Sequence, residues 1–143
     1  MLRKNKKFVV GLTTFNLEML RISIPVLGRL PRNFVLIIYN DNPSVRLQRR
    51  TVRKLGYRGD LKIINGVENI GLLGARVEIM RHGPKFAKQA QWIVFVDDDD
   101  MLISLADVPD VAVDNFADMH RGFFFTAIIT YKFFIYHIKI FHF

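Results

Sequence analysis

Apolar runs rich in β-branched residues alternate along this chain with stretches whose apolar positions recur at helical spacing. KFVVGLTT (7–14) reads as a strand. In LEMLRISIPVLGRL (17–30) the apolar positions 17, 20, 24 and 27 predict a helix that Pro25 kinks or ends. NFVLIIYN (33–40) is apolar throughout, as expected of a strand covered on both faces. NDNPS (40–44) reads as a turn and helix start, with Asn42 as N-cap and Pro43 at the first helical position. The helix SVRLQRRTVRKLG (44–56) then ends at a glycine. DLKIIN (60–65) is a short third strand and GVENIG (66–71) a loop. LLGARVEIMRHG (72–83) is a helix closing on Gly83 and Pro84, and QWIVFVD (91–97) is a fourth strand.

The order β-α-β-α-β-α-β predicts an α/β fold with helices on both faces of a mostly parallel sheet. Right-handed crossovers put the carboxyl ends of the strands along one edge, where such sheets bind ligands. Three polar stretches fall there: Thr13–Asn16, Asn40–Asn42 and Asp97–Asp100. This α/β unit spans 1–104. Residues 105–143 read as an incomplete or atypical C-terminal segment of the same domain. Within it LADVPDVAVDNFADMHRG (105–122) is mixed in character, while FFFTAIITYKFFIYHIKIFHF (123–143) is aromatic and β-prone. Lys132 cuts that run short of a membrane helix. Such a tail would leave a β-edge prone to association.

Composition adds limits. The 143 residues suit one domain, and half are apolar, enough for a core. The absence of cysteine excludes a disulfide framework, a thiolate zinc site and a cysteine nucleophile, and fits a reducing compartment. The basic start MLRKNKKFVVGLTTF is too short in its apolar part, and interrupted by Thr13, Thr14 and Asn16, for a signal peptide. It reads as a cytoplasmic strand. The net charge of +8 is uneven: residues 1–96 hold 18 of the 21 Lys and Arg but 5 of the 13 Asp and Glu. A basic body around an acidic cluster suits an anionic ligand held through a metal. The simpler alternative is a solvated cationic surface. Peripheral association with an anionic membrane surface stays open. Nucleic acid is not expected, because no basic-aromatic binding motif is present.

The chemistry concentrates in WIVFVDDDDMLIS (92–104), four carboxylates after an apolar run. Like charges about 4 Å apart repel by about 1 kcal/mol in water and about 4 kcal/mol at an effective dielectric of about 20. On extended backbone Asp97 and Asp99 point one way and Asp98 the other. Two oxygen donors at a strand end suit Mg²⁺ or Mn²⁺, which take few protein carboxylates and leave places for phosphate and water. Such a cation offsets the repulsion and stabilises charge on a departing phosphate. The competing reading is a solvated turn in which Asp98 and Asp100 cap a helix.

Four segments in order resemble family 2 glycosyltransferases of the GT-A fold. TTFN (13–16) resembles their first strand-to-helix turn, and LIIYNDNPS (36–44) their second-strand segment ending in Asp-Asp-Gly-Ser. ENIGLLGAR (68–76) resembles their Glu-Asn-x-Gly-x-x-x-Ala-Arg loop, and WIVFVDDDDML the strand carrying an Asp-x-Asp motif. The resemblance covers roughly residues 7–104. It implies a three-layer α/β/α, Rossmann-like nucleotide-diphospho-sugar transferase fold, present in part.

It further implies that Asp99 binds Mg²⁺ or Mn²⁺, with Asp97 on the ribose or reaching the metal through water. Asp41 would accept from the nucleotide base; as a residue before Pro43 it also reads as a turn former. Thr13 and Phe15 would line the base pocket through backbone contacts, with Asn16 and Asp98 in the same nucleotide-sugar site. Asn69 and Arg76 would touch the nucleotide. Asn40 stands where the family often has Asp. The partners implied are a UDP- or GDP-sugar type donor and a glycan or lipid-linked acceptor, met in the cytoplasm.

An inverting transfer also needs a general base. In that family it is an acid well downstream of the metal motif. Here Asp118 is the last acid, and Asp107, Asp110, Asp114 and Asp118 follow the motif too soon. His120, His137 and His142 could in principle accept a proton, though a lone histidine on a β-like stretch is more often just a side chain at an edge. The expectation is a donor-binding half without its acceptor half, as in a truncated chain of doubtful activity. A phosphohydrolase of the haloacid dehalogenase type, with Asp97 as nucleophile, is the alternative enzyme. Its Asp-x-Asp normally sits on the first strand. An inactive fragment or polyanion-binding module is the alternative without chemistry.

Overall fold

The computed structural model describes residues 8–88, 90, 92–99, 124–131 and 134–142. Its elements are β1 (Phe8–Thr14), a 3-10 turn (Leu17–Met19), α1 (Leu20–Leu27), β2 (Phe34–Asn40) and α2 (Arg49–Lys54). β3 (Asp60–Asn65), α3 (Gly71–Phe86), β4 (Trp92–Asp97), β5 (Phe124–Tyr131) and β6 (Phe134–His142) follow. One sheet runs β3-β2-β1-β4-β6-β5. The first four strands are parallel; β6 pairs antiparallel with β4 and forms a hairpin with β5. The fold is therefore Rossmann-like α/β, with its sequence-predicted strands within a residue of their expected bounds. The β-prone tail adds two antiparallel strands to the same sheet. Residues 100–123, which hold Asp100, the four later acids and His120, lie outside the described residues.

Strand alternation divides the core in two. Val10 and Leu12 of β1, Leu36 and Ile38 of β2, and Val94 and Val96 of β4 pack against Leu20, Ile24 and Leu27 of α1 and Val52 of α2. Val9, Ile37, Ile93 and Phe95 face the other way, onto Ala75 and Ile79 of α3. α3 sits close because β1 carries no side chain beneath it. A Cβ on Gly11 would meet Ile79 Cγ2 at 2.8 Å and the Phe95 ring at 3.0 Å.

Three helix expectations need correction. The helix expected over 44–56 starts only at Arg49. Two asparagines at the ends of β2 and β3 hold the preceding chain out of helix. Asn40 Nδ2 donates to the Val45 carbonyl at 2.5 Å. Leu47 N–H donates to Asn65 Oδ1 at 2.8 Å, and Asn65 Nδ2 returns a bond to the Leu47 carbonyl at 3.2 Å. Asn42 does cap, but only a turn, by accepting from Ser44 N–H at 3.0 Å. The helix expected over 17–30 divides into the 3-10 turn and α1. Pro25 stays inside α1, the ladder bond it removes being one to the exposed Arg21. α3 runs through Pro84 to Phe86, and the Ala87 N–H closes it on the Gly83 carbonyl at 2.9 Å.

The position of β4 matters most for function. α1 and α2 cover one face and α3 the other, so the chain reverses direction across the sheet between β1 and β4. This is the topological switch point, where open α/β sheets leave a crevice at the carboxyl ends.

Candidate functional site at the carboxyl edge

Thr13 and Thr14 end β1 and Asp97 ends β4, so these residues straddle the switch point; Thr13 is in register with Asp97. Asp98 follows in the turn and accepts a 2.6 Å hydrogen bond from Thr14 Oγ1. Thr14 is buried, and its hydroxyl also lies 3.2 Å from the Asn16 carbonyl. Across the other face Arg76, in the second turn of α3, donates to Asp97 Oδ1 at 2.8 Å. The Arg76 guanidinium lies over the Phe95 ring at 5.5 Å. Neighbouring carboxylates thus leave the strand toward opposite faces, as alternation requires, each with a partner from its own side.

Asp41 lies one strand over. It is only 4 % exposed. Its backbone N–H donates to the Thr14 carbonyl at 2.8 Å, tying the ends of β1 and β2 together. Its carboxylate accepts from Ile70 N–H at 2.8 Å and Gly71 N–H at 3.0 Å, the first amides of α3. Gly71 takes a positive φ of 72°, the left-handed region open to glycine, which brings both amides onto one carboxylate.

The remaining expected residues have local duties. Asn16 Oδ1 accepts from Glu18 N–H at 3.2 Å and caps the 3-10 turn. Asn69 Oδ1 accepts from Gly71 N–H at 3.0 Å. Phe15 has an exposed ring, and its carbonyl accepts from Asn42 Nδ2 at 3.1 Å. Asp99 is exposed beside Asp98. Of the expected set, Thr13, Asp41, Arg76, Asp97 and Asp98 gather at the strand ends. Phe15, Asn16 and Asn69 stand on the surrounding loops.

Three residues beyond that set also build the edge. Thr14 belongs to the polar stretch after β1, but nothing in TTFN says which threonine meets a carboxylate. Asn40 and Asn65 form the second pair, Nδ2 to Oδ1 at 3.0 Å. Their signal is a polar residue closing each of two parallel strands.

Of the four buried side-chain polar atoms without a partner among the described residues, two, Thr13 Oγ1 and Arg76 Nε, lie at this edge; Ser23 Oγ and Asn33 Oδ1 lie elsewhere. Buried orphans of this kind are uncommon and call for a reason. No group of three or more His, Asp or Glu side chains able to hold a metal ion occurs among the described residues.

Burial pushes the Asp98 carboxyl up from its ordinary range; the Thr14 hydrogen bond opposes this, and Asp99 and Asp97 add to the rise. A raised carboxylate lowers stability as pH climbs from the ordinary carboxylate range through the raised value. Asp98→Asn keeps an oxygen for Thr14 and removes the charge. It should therefore stabilise the fold at neutral pH by about 1 kcal/mol, the gain usual when a strained site residue is relieved. That gain should vanish in acid, where Asp98 is neutral anyway. Thermal melts of both proteins across pH 3–7 check this, and an Asn variant less stable at pH 7 than the parent contradicts it.

No family model matches the chain, and no curated protein matches it significantly. Among solved structures it is similar to the crystal structure of the glycosyltransferase GlyE in Streptococcus pneumoniae TIGR4, at 12 % identity and a TM-score of 0.47. The match covers 96 % of this chain and 34 % of that one, so this chain spans about a third of that protein's length.

Proposed function

We propose that this chain is the donor-binding part of a glycosyltransferase, taking a nucleotide-diphospho-sugar of the UDP or GDP type. The acceptor is read as a glycan or a lipid-linked sugar. The observation that carries the reading is the convergence of Thr13, Thr14, Asp41, Arg76, Asp97 and Asp98 at the switch point of a parallel sheet. The half-burial of Asp98, which raises its carboxyl with smaller additions from Asp99 and Asp97, also supports it. A cluster of carboxylates is tolerable where a cation completes it.

Asp99, with Asp97 directly or through water, would hold Mg²⁺ or Mn²⁺, a hard cation that takes few protein oxygens and keeps places for phosphate and water. When bound, the cation would supply charge stabilisation at the diphosphate. The chain's own part is to orient. Thr14 fixes Asp98, Arg76 fixes Asp97, and the partnerless Arg76 Nε and Thr13 Oγ1 are donors an anionic ligand would satisfy.

Isothermal calorimetry of UDP and GDP, with and without Mn²⁺, tests the reading. Metal-dependent binding of one nucleotide is expected, weakened at least about tenfold in Asp99→Ala through the lost charge-assisted contact. Absence of binding by both nucleotides with Mn²⁺ present, or binding indifferent to metal and to Asp99, overturns it. Hydrolysis of an aryl phosphate with Asp97 required would favour the phosphohydrolase instead.

A further inference from the structure

We infer that the chain pairs with a second copy of itself, β5 against β5, in an antiparallel two-fold register centred on Ile128. Among the described residues β5 pairs with β6 alone and ends the sheet. An end strand presents unpaired amides and carbonyls, and proteins blunt it with charge, proline or groups laid over its backbone. The opposite end strand, β3, is blunted in this way. It carries Asp60 and Lys62. Arg49 Nη2 donates to its Leu61 carbonyl at 2.6 Å, and the Tyr57 hydroxyl to its Asp60 carbonyl at 3.0 Å. β5 has no such protection in its sequence. It reads FFTAIITY, without charge, proline or glycine. Phe, Thr, Ile and Tyr are residues that favour strand.

The order of those residues selects the partner. In an antiparallel pair centred on Ile128, that residue meets its own copy. Thr126 then stands opposite Thr130, Ala127 opposite Ile129 and Phe125 opposite Tyr131. Thr–Thr and aromatic–aromatic pairs are among those that stabilise antiparallel strands. β5 brings none of the chain's net charge of +8 into the pair, so no like charges meet along it. The register over 125–131 makes about six to eight ladder bonds, two for each hydrogen-bonded pair. Stable interfaces carry about 10 ± 5. A strand from a different protein would need no such symmetry. A two-fold interface uses the same edge on both copies, so assembly closes at two chains. The blunted β3 strands then form the two ends of the joined sheet.

This pairing is independent of the donor-binding reading, and its test uses no nucleotide. Sedimentation velocity of the full chain is expected to show a dimer. The chain has no cysteine, so single cysteines report the register. Ile128→Cys places two thiols opposite each other, within the Cα separation that a disulfide spans. Tyr131→Cys leaves its two copies about 20 Å apart along the strands. Mild oxidation should therefore cross-link the first at least about tenfold faster than the second. Ile128→Lys sets two cations against each other and should give a monomer. Should that variant fail to fold by circular dichroism, the cysteine pair decides. A monomeric parent, equal cross-linking at both positions, a folded Ile128→Lys that stays dimeric, or open-ended assembly overturns the inference.

Discussion

Asp41→Ala is expected to destabilise the protein by about 3 kcal/mol. The carboxylate is almost wholly buried, and its two oxygens take the Ile70 and Gly71 amides at the start of α3. A hydrogen bond to a charged group contributes about 1.5–3 kcal/mol, and a buried donor left unmade incurs its desolvation penalty. Negative charge at a helix N-terminus adds to this. Ile70, at the N-cap position, offers no side-chain acceptor, so little can replace Asp41. Asn69 also accepts from Gly71, which keeps the loss at the low end of two full bonds. Asp41→Asn should lose about half as much, since an amide oxygen serves one donor and its NH₂ opposes the other. Urea denaturation measures both. A loss under about 1 kcal/mol for the alanine variant would show that α3 is anchored elsewhere. The same pair of variants bears on the nucleotide, because the resemblance gives this acid to the base. A carboxylate oxygen has a second lone pair, so capping and base recognition are compatible. Loss of nucleotide affinity in Asp41→Asn beyond its loss of stability would separate the two roles.

Arg76→Met is the second large effect, expected near 2 kcal/mol. Removing one member of a fully buried ion pair costs about 3–5 kcal/mol because a charge is left behind. Here the Arg76 side chain is 11 % exposed but Asp97 is 39 % exposed, so water screens part of the loss. Arg76→Lys should not rescue it, since a point charge reproduces neither the planar bond to Asp97 nor the stacking over Phe95. The double variant Arg76→Met, Asp97→Asn should lose less than the sum of the singles by about 1 kcal/mol or more, the coupling expected of contacting charges. Strict additivity would mean that the pair seen across α3 and β4 carries no energy. In the proposed donor site the same pair aims Asp97, so the Met variant should also weaken metal-dependent nucleotide binding.

The layout of the sheet was open to reading because its signals are local. Continuous apolar runs such as 33–40 mark strands covered on both faces, and their bounds held to within one residue. Helix limits failed where a distant side chain competed with local propensity. Arg46 to Gln48 lie in a stretch that favours helix, yet Asn40 and Asn65, from two strands, hold Val45 and Leu47 out of helix. Those bonds exist only once β2 and β3 lie side by side.

The candidate site follows the same division. The order of elements and the polar residue closing each strand determined that Thr13–Asn16, Asn40–Asn42 and the aspartates share one edge, because right-handed crossovers leave that edge no alternative. Strand order was decided only in three dimensions. Placing β4 beside β1 rather than beyond β3 creates the switch point and sets Thr14 against Asp98 and Arg76 against Asp97. Gly11 illustrates the reason. Within KFVVGLTT it is an interruption of a strand; in the fold it is the space that lets Ile79, and with it the helix carrying Arg76, approach the sheet. Patterning along a chain records which face a residue prefers, whereas partners across the fold depend on distances that exist only after packing.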